Sequence, residues 1–161
     1  MKKPQGGKTA NISGGHGEQL VANLIIAEGF KPAPESEYRA VRAACRTQAT
    51  PQALLREGQF YQQVPMFTSI YGVPFKADFI IVSASQLTVI EVKWQASAGS
   101  VDEKLPFWLM TLDALRDVST ALVILGDGQR PGVVPWCRNS ADKTAVLANA
   151  AEVKRYLKTQ R

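Results

Sequence analysis

Glu91, Lys93 and Gln95 stand two apart in the run Thr88-Val-Ile-Glu-Val-Lys-Trp-Gln95. In an extended chain that spacing puts all three on one face, with Ile90, Val92 and Trp94 on the other. An acid, a base and an amide in a row are unusual beside such apolar neighbours. The run before it, Lys76-Ala-Asp-Phe-Ile-Ile-Val-Ser83, is rich in β-branched and aromatic residues, and a short polar break separates the two. The pair predicts a β-hairpin with a tight turn. Centring the turn between Ala84 and Ser85 sets Ser83 opposite Gln86, Val82 opposite Leu87 and Asp78 opposite Glu91. Directly opposed Cβ atoms lie about 4.5–5.5 Å apart, so two carboxylates there repel unless a cation sits between them. Converging oxygens suit Mg2+ or Mn2+, which take one or two carboxylates plus waters and substrate phosphate. Lys93, on the same face, is placed to hold a phosphate or to help deprotonate an attacking water. That combination is the chemistry of phosphodiester hydrolysis.

Asp78, followed across a short hairpin by Glu91-Val-Lys93, resembles the PD-(D/E)XK nuclease superfamily with its restriction-endonuclease-like fold. Ala77 stands where the motif name has Pro, a position that is not a ligand. Gln95 extends the resemblance to the E-x-K-x-Q variant, which looks like Holliday-junction resolvases, λ-exonuclease-like enzymes and some restriction enzymes. Gly99-Ser-Val-Asp-Glu-Lys-Leu-Pro106 resembles the segment that follows this strand in phage and mobile-element nucleases. The resemblance implies a metal-dependent DNA endonuclease using Mg2+ (or Mn2+). It implies Asp78 and Glu91 as metal ligands, the Val92 carbonyl as a third, Lys93 as the group that positions or activates water, and Gln95 as orienting Lys93 or the scissile phosphate. Gly14-Gly-His-Gly-Glu18 resembles the opening of the first helix in resolvase-type members, whose Glu reaches the metal directly or through water. Glu18 therefore joins the catalytic and metal-binding candidates.

These residues need elements to position them. Leu20, Val21, Leu24 and Ile25 recur at helical spacing from about His16 to Glu28, and Gly29 supplies a stop. Glu18 borders that apolar stripe; a first-turn Glu favoured by the helix dipole is the plainer reading. Pro32 and Pro34 then break the chain, a short helix is expected over Glu37–Cys45, and another start at Pro51. Phe60–Val64 and Phe67–Tyr71 read as one strand bent at Pro65. Gln62 and Gln63 are edge-strand polar residues or DNA contacts. Ser100 and Glu103 form a capping box, predicting a helix from Val101 with Pro106 kinking it. Thr120–Leu125 reads as a strand buried on both faces, hence a parallel crossover. Gln129–Asn139 reads as a loop with Trp136 plugging the core edge. Lys143–Ala148 reads as an edge strand, and Asn149 with Glu152 as a cap opening a final helix.

The expected fold is α/β, with an α-β-β-β-α-β core and a central mixed sheet flanked by helices. Residues 1–15 are expected to form a flexible basic arm and 16–161 a single nuclease-like domain. Lys2, Lys3 and Lys8 of the arm, with Lys76 and Lys104, are candidate DNA-phosphate contacts; Lys104 sits where a helix N-terminus already favours an anion. The 161-residue chain carries a net charge of +5, which favours a polyanionic partner. Two cysteines, Cys45 and Cys137, and one histidine, His16, make no zinc-ligand spacing or disulfide framework. No segment approaches the roughly 20 apolar residues of a membrane span, and no apolar run follows the Met-Lys-Lys start. A cytoplasmic protein acting on duplex or branched DNA is expected, as a homodimer or higher oligomer, since cutting two strands with one site per chain favours a dimer. A non-catalytic DNA-binding module, a sequence-specific restriction or homing-type endonuclease, and an unrelated α/β protein with surface charge pairs remain alternatives.

Overall fold

Ala84 and Ser85 both take left-handed backbone angles, φ 47° and 62°, and so close a two-residue turn of the kind that matches strand twist. The register follows as expected, from Ser83 opposite Gln86 to Phe79 opposite Ile90. The computed structural model describes residues 6–47, 51–95 and 97–160, and of residues 6–14 the backbone alone. Its elements are α1 (Gly6–Ala27), β1 (Lys31–Pro32), α2 (Glu35–Arg46), β2 (Gln59–Thr68), β3 (Pro74–Ser83), β4 (Gln86–Lys93), α3 (Val101–Asp113), β5 (Thr120–Leu125), α4 (Val133–Ser140), β6 (Ala145–Leu147) and α5 (Ala150–Lys158).

The six strands form one mixed sheet in the order β1-β2-β3-β4-β5-β6. β2, β3 and β4 run as an antiparallel meander, whereas β4, β5 and β6 are parallel. The parallel β4–β5 step is the crossover expected from the apolar Thr120–Leu125 run, and α3 supplies the connection. On one face Leu105, Leu109 and Leu112 of α3 pack on Val89, Val123 and Leu125, with Val41 and Cys137 beside them. On the other, Val21 and Ile25 of α1 and Val153 and Leu157 of α5 pack on Ile90, Val92, Leu122 and Ile124. Helices on both faces of a largely buried sheet give an α/β sandwich of three layers.

Four local expectations need correction. The first helix starts at Gly6, so residues 6–15 of the expected arm are helical in backbone. Extending a helix past an anchored turn costs far less than nucleating one, so Val21 and Ile25 let it run back through the glycines. Residues 133–140 form α4 rather than loop, because Pro135 falls in the first turn, where its missing N–H has no partner to lose. Trp136 on that helix is 45% exposed, so it does not plug the core. Ser100 precedes α3 but its backbone is already helical and its side chain caps nothing. The Asn149 cap does form, with Oδ1 accepting from Glu152 N–H at 3.0 Å. Lys2 and Lys3 lie outside the described residues. Among the described residues no helix is long and apolar enough to cross a membrane.

The end of α3 is tied to the approach to β6 by one side chain. Asp113 accepts the N–H groups of Asp142, Lys143 and Thr144 at 3.0, 2.9 and 2.7 Å, and the Thr144 hydroxyl at 2.6 Å. Burial alone would raise its pKa, but these donors hold the carboxyl below its ordinary value. Asp113→Ala is expected to destabilise the protein by about 1–3 kcal/mol in urea unfolding at neutral pH. The folded carboxyl has the lower pKa, so this contribution is present above the ordinary 3.8 and is lost as pH falls below it. The gap between wild type and variant should therefore close in acid.

Candidate active site

The β3–β4 ladder stops at Phe79–Ile90, one pair short of Asp78 and Glu91. There the Asp78 carboxylate takes over: Oδ2 accepts the Val92 N–H at 2.7 Å. β4 meanwhile stays locked to β5, from Glu91 beside Val123 to Lys93 beside Leu125. The sheet opens on one side of β4 only, and the acids line the opening. Gln63 of β2, between the pairs Gln62–Phe79 and Val64–Ala77, lies opposite Asp78 and has a left-handed φ of 52°. Its amide donates to Asp78 Oδ1 at 2.7 Å and reaches Glu18 Oε2 at 3.5 Å. Ala77 packs in one core and Phe79 in the other, although strict alternation would put both on one face. The strand changes facing at Asp78.

The electrostatics are those of a site short of positive charge. Glu91 is 2% exposed; Oε1 pairs with Lys93 Nζ, while the buried Oε2 has no hydrogen-bond donor. Burial pushes the Glu91 carboxyl up to about 8, against the pull of Lys93 and helped by the charge of Asp78. Asp78 is also raised, again by burial first, with Lys93, the Val92 N–H and Gln63 opposing. Glu18 is raised by burial and by Asp78, opposed by Lys93. Three carboxyls and one lysine thus feel each other's charge. Lys93 is held further by the Trp108 ring, whose centroid lies 4.1 Å from Nζ.

Among the described residues no group of three or more Asp, Glu, His or Cys side chains closes around a point that could hold an ion. The donor-less oxygen of Glu91 beside Asp78 nevertheless fits a hard divalent cation that completes its shell with carbonyl, water or phosphate oxygens. A family model described as a PD-(D/E)XK nuclease superfamily domain matches residues 9–160. The chain belongs to that superfamily. Its members are usually nucleases and generally use divalent metals. No curated protein and no solved structure matches the chain.

The other predicted residues of this nuclease domain have varied placements. Val92 turns its side chain into the α1-side core and gives its N–H to Asp78. Gln95 is buried at 5% exposure and faces away from the acids; its amide donates to Asp102 Oδ1 at 2.6 Å and to Gln129 Oε1 at 2.7 Å. Gln129 in turn donates to the Lys93 carbonyl at 3.0 Å, so Gln95 holds the backbone that carries Lys93. Arg130 lies 3.4 Å from Asp102 Oδ2 and closes this network. Lys76 and Lys104 are exposed on β3 and α3. The side chain of Lys8 is not among those described. Gln63 was expected only as an edge-strand residue or a DNA contact, and the parts played by Trp108, Asp102 and Gln129 were not anticipated.

Trp94 fixes the distance between α1 and the site. A Cβ at Gly17 would lie 2.2 Å from Trp94 Cβ, and one at Gly126 would lie 2.9 Å from the same ring. Only hydrogen fits there, and the close approach sets Glu18, the next residue, over the opening. A Cβ at Gly15, on the same helix, would meet nothing within 4 Å. Gly15→Ala should therefore stabilise the protein by about 0.5–1 kcal/mol, the usual helix preference. Gly17→Ala should do the reverse, destabilising by about 1–3 kcal/mol through overpacking against Trp94. Urea unfolding of the two variants reads the opposite signs directly.

Proposed function

We propose that this domain is a divalent-metal-dependent deoxyribonuclease that hydrolyses DNA phosphodiester bonds, acting as a structure-selective or nicking endonuclease. One observation carries the reading. A buried carboxyl oxygen of Glu91 has no hydrogen-bond partner, and it lies beside a second acid and a lysine placed to serve both. A buried acceptor without a partner costs about 1–3 kcal/mol, a cost that a bound cation would remove.

Asp78 and Glu91 would hold Mg2+ or Mn2+, with the Val92 carbonyl as a further ligand and Glu18 anchoring from α1. When bound, the ion supplies charge neutralisation at the phosphate and lowers the pKa of water. Gln63 holds Asp78 and Glu18 in place from the far side. Lys93 shifts its Nζ from Glu91 toward the phosphate, orienting the attacking water and stabilising charge that develops on the non-bridging oxygens. The Trp108 ring keeps that ammonium from swinging out to solvent. Gln95, through Gln129, fixes the strand on which Lys93 sits, and this is the role of the amide in the E-x-K-x-Q pattern here. Lys76 and Lys104 add exposed positive charge for the DNA backbone. Cutting both strands with one site per chain would take a homodimer.

The test is cleavage of labelled linear duplex, four-way junction, flap and single-stranded DNA with Mg2+ or Mn2+. Wild type should cut at least one of them, and Lys93→Ala and Glu91→Ala should each lose roughly 10²- to 10⁴-fold in rate. Absence of cutting with salt-dependent binding intact would instead make the domain a binding module. Loss of both would leave the charges as a structural pair.

A further inference from the structure

Five aromatic rings run from the core to the surface beside Lys93. Phe67 stacks on Phe75 at 5.8 Å, and Phe75 meets the Trp108 edge at 5.6 Å. Trp108 meets Phe107 at 5.1 Å, and Phe107 carries Tyr71 stacked over it at 5.1 Å and 26°. Tyr71 ends the row, 75% exposed, with one ring face on Phe107 and the other toward solvent. It sits at the tip of the β2–β3 hairpin between Ile70 and Val73, which are themselves 36% and 54% exposed. The tip is built rather than loose. Gly72 N–H bonds to the Ser69 carbonyl at 2.9 Å, Ser69 N–H bonds to the Val73 carbonyl at 2.9 Å, and Gly72 supplies the left-handed φ of 75°.

An exposed aromatic face needs a reason, because water penalises it and the core does not use it. Trp108 bears Lys93 on its ring, so the row passes beside the proposed reaction centre on its way to the surface. Two ring-to-ring steps of 5.1 Å separate Trp108 from Tyr71, a span of a few nucleotides of stacked strand. Lys104 stands three residues before Phe107 on α3, and residues three apart share a helix face. Positive charge therefore flanks the platform.

We propose that the open face of Tyr71, backed by Phe107, stacks an unpaired nucleobase of the substrate. This inference rests on the nuclease reading and names its substrate class: DNA with unstacked nucleotides near the scissile phosphate, such as a flap, a junction branch or a single strand. A base inside a duplex has both faces covered by its neighbours and offers the platform nothing. Stacking on an aromatic side chain is tolerant of sequence, since every base has a π-face.

The experiment measures equilibrium binding of labelled single-stranded, flap and blunt duplex DNA without divalent ions, so that nothing is cut. Tyr71→Ala should weaken binding of the single strand and flap about 5- to 150-fold, and of the blunt duplex less than about twofold. Tyr71→Phe should bind all three as wild type does, whereas Tyr71→Leu, apolar but not aromatic, should behave like alanine. Unchanged single-strand binding by Tyr71→Ala would overturn the proposal, as would equal losses on single strand and duplex. So would sedimentation showing a wild-type dimer that Tyr71→Ala dissociates, which would give the patch to a second copy of the chain. If Tyr71 variants discriminate as expected while wild type cuts nothing, the platform stands and the nuclease reading falls. If wild type cuts in a Lys93-dependent way and Tyr71 makes no difference to binding, the platform alone falls.

Discussion

A single hydrogen bond, from the Val92 N–H to the Asp78 carboxylate, governs the shape of the site. A strand N–H in a buried sheet must find an acceptor. Where the acceptor is the facing strand's backbone, the two strands stay together and no space opens. Here the acceptor is a side chain, so β3 can part from β4 without orphaning a donor, and β4 keeps its bonds to β5. The break in the ladder that results is lined on one side by the residue that made it. Gln63 answers the same constraint from β2: its left-handed backbone turns an amide onto the other Asp78 oxygen. Asp78 is thereby satisfied on both oxygens, and Glu91 is left with the unmet one.

What was legible in the sequence was what period two and local turn chemistry decide. The hairpin register, the shared face of Glu91 and Lys93, and the buried parallel strand Thr120–Leu125 all follow from patterns within a few residues of each other. Glu18 was singled out by the resemblance of its glycine-rich opening to resolvase-type members, whereas the apolar stripe alone read it as a first-turn Glu. What stayed hidden depends on long-range geometry. Gln63 reaches Asp78 because β2 shifts register between Val64 and Phe67, and a lone Gln at a strand edge gives no sign of that. Asp102 and Gln129 meet Gln95 only after α3 and β5 have packed, across 7 and 34 residues. Ser100 and Glu103 matched a capping pattern, but capping requires extended backbone at the first residue, and Ser100 is already in a turn.

Glycine placement ties the layers to the chemistry. Gly17 and Gly126 come from opposite ends of the chain and close on the same indole. That contact brings α1 to the end of β4 and sets Glu18 within electrostatic reach of Asp78 and Lys93. Core packing and site assembly are thus coupled: the apolar Trp94 seats the helix, Lys93 before it meets Glu91, and Gln95 after it turns to Asp102 and Gln129. The motif is held by three layers at once, which is why its spacing in the chain is short while its supports are distant.

The account turns on Asp78 and Glu91 sharing a divalent ion. Calorimetric titration of the DNA-free protein with Mn2+ in two buffers of different ionisation enthalpy tests it most directly. Burial pushes the Glu91 carboxyl up to about 8, so an ion that needs the carboxylate must displace a proton at neutral pH. The account predicts saturable binding with proton release, tightening as the pH is raised toward 8 and abolished by Glu91→Gln. Binding that releases no proton and survives Glu91→Gln, or no binding at all, would contradict it.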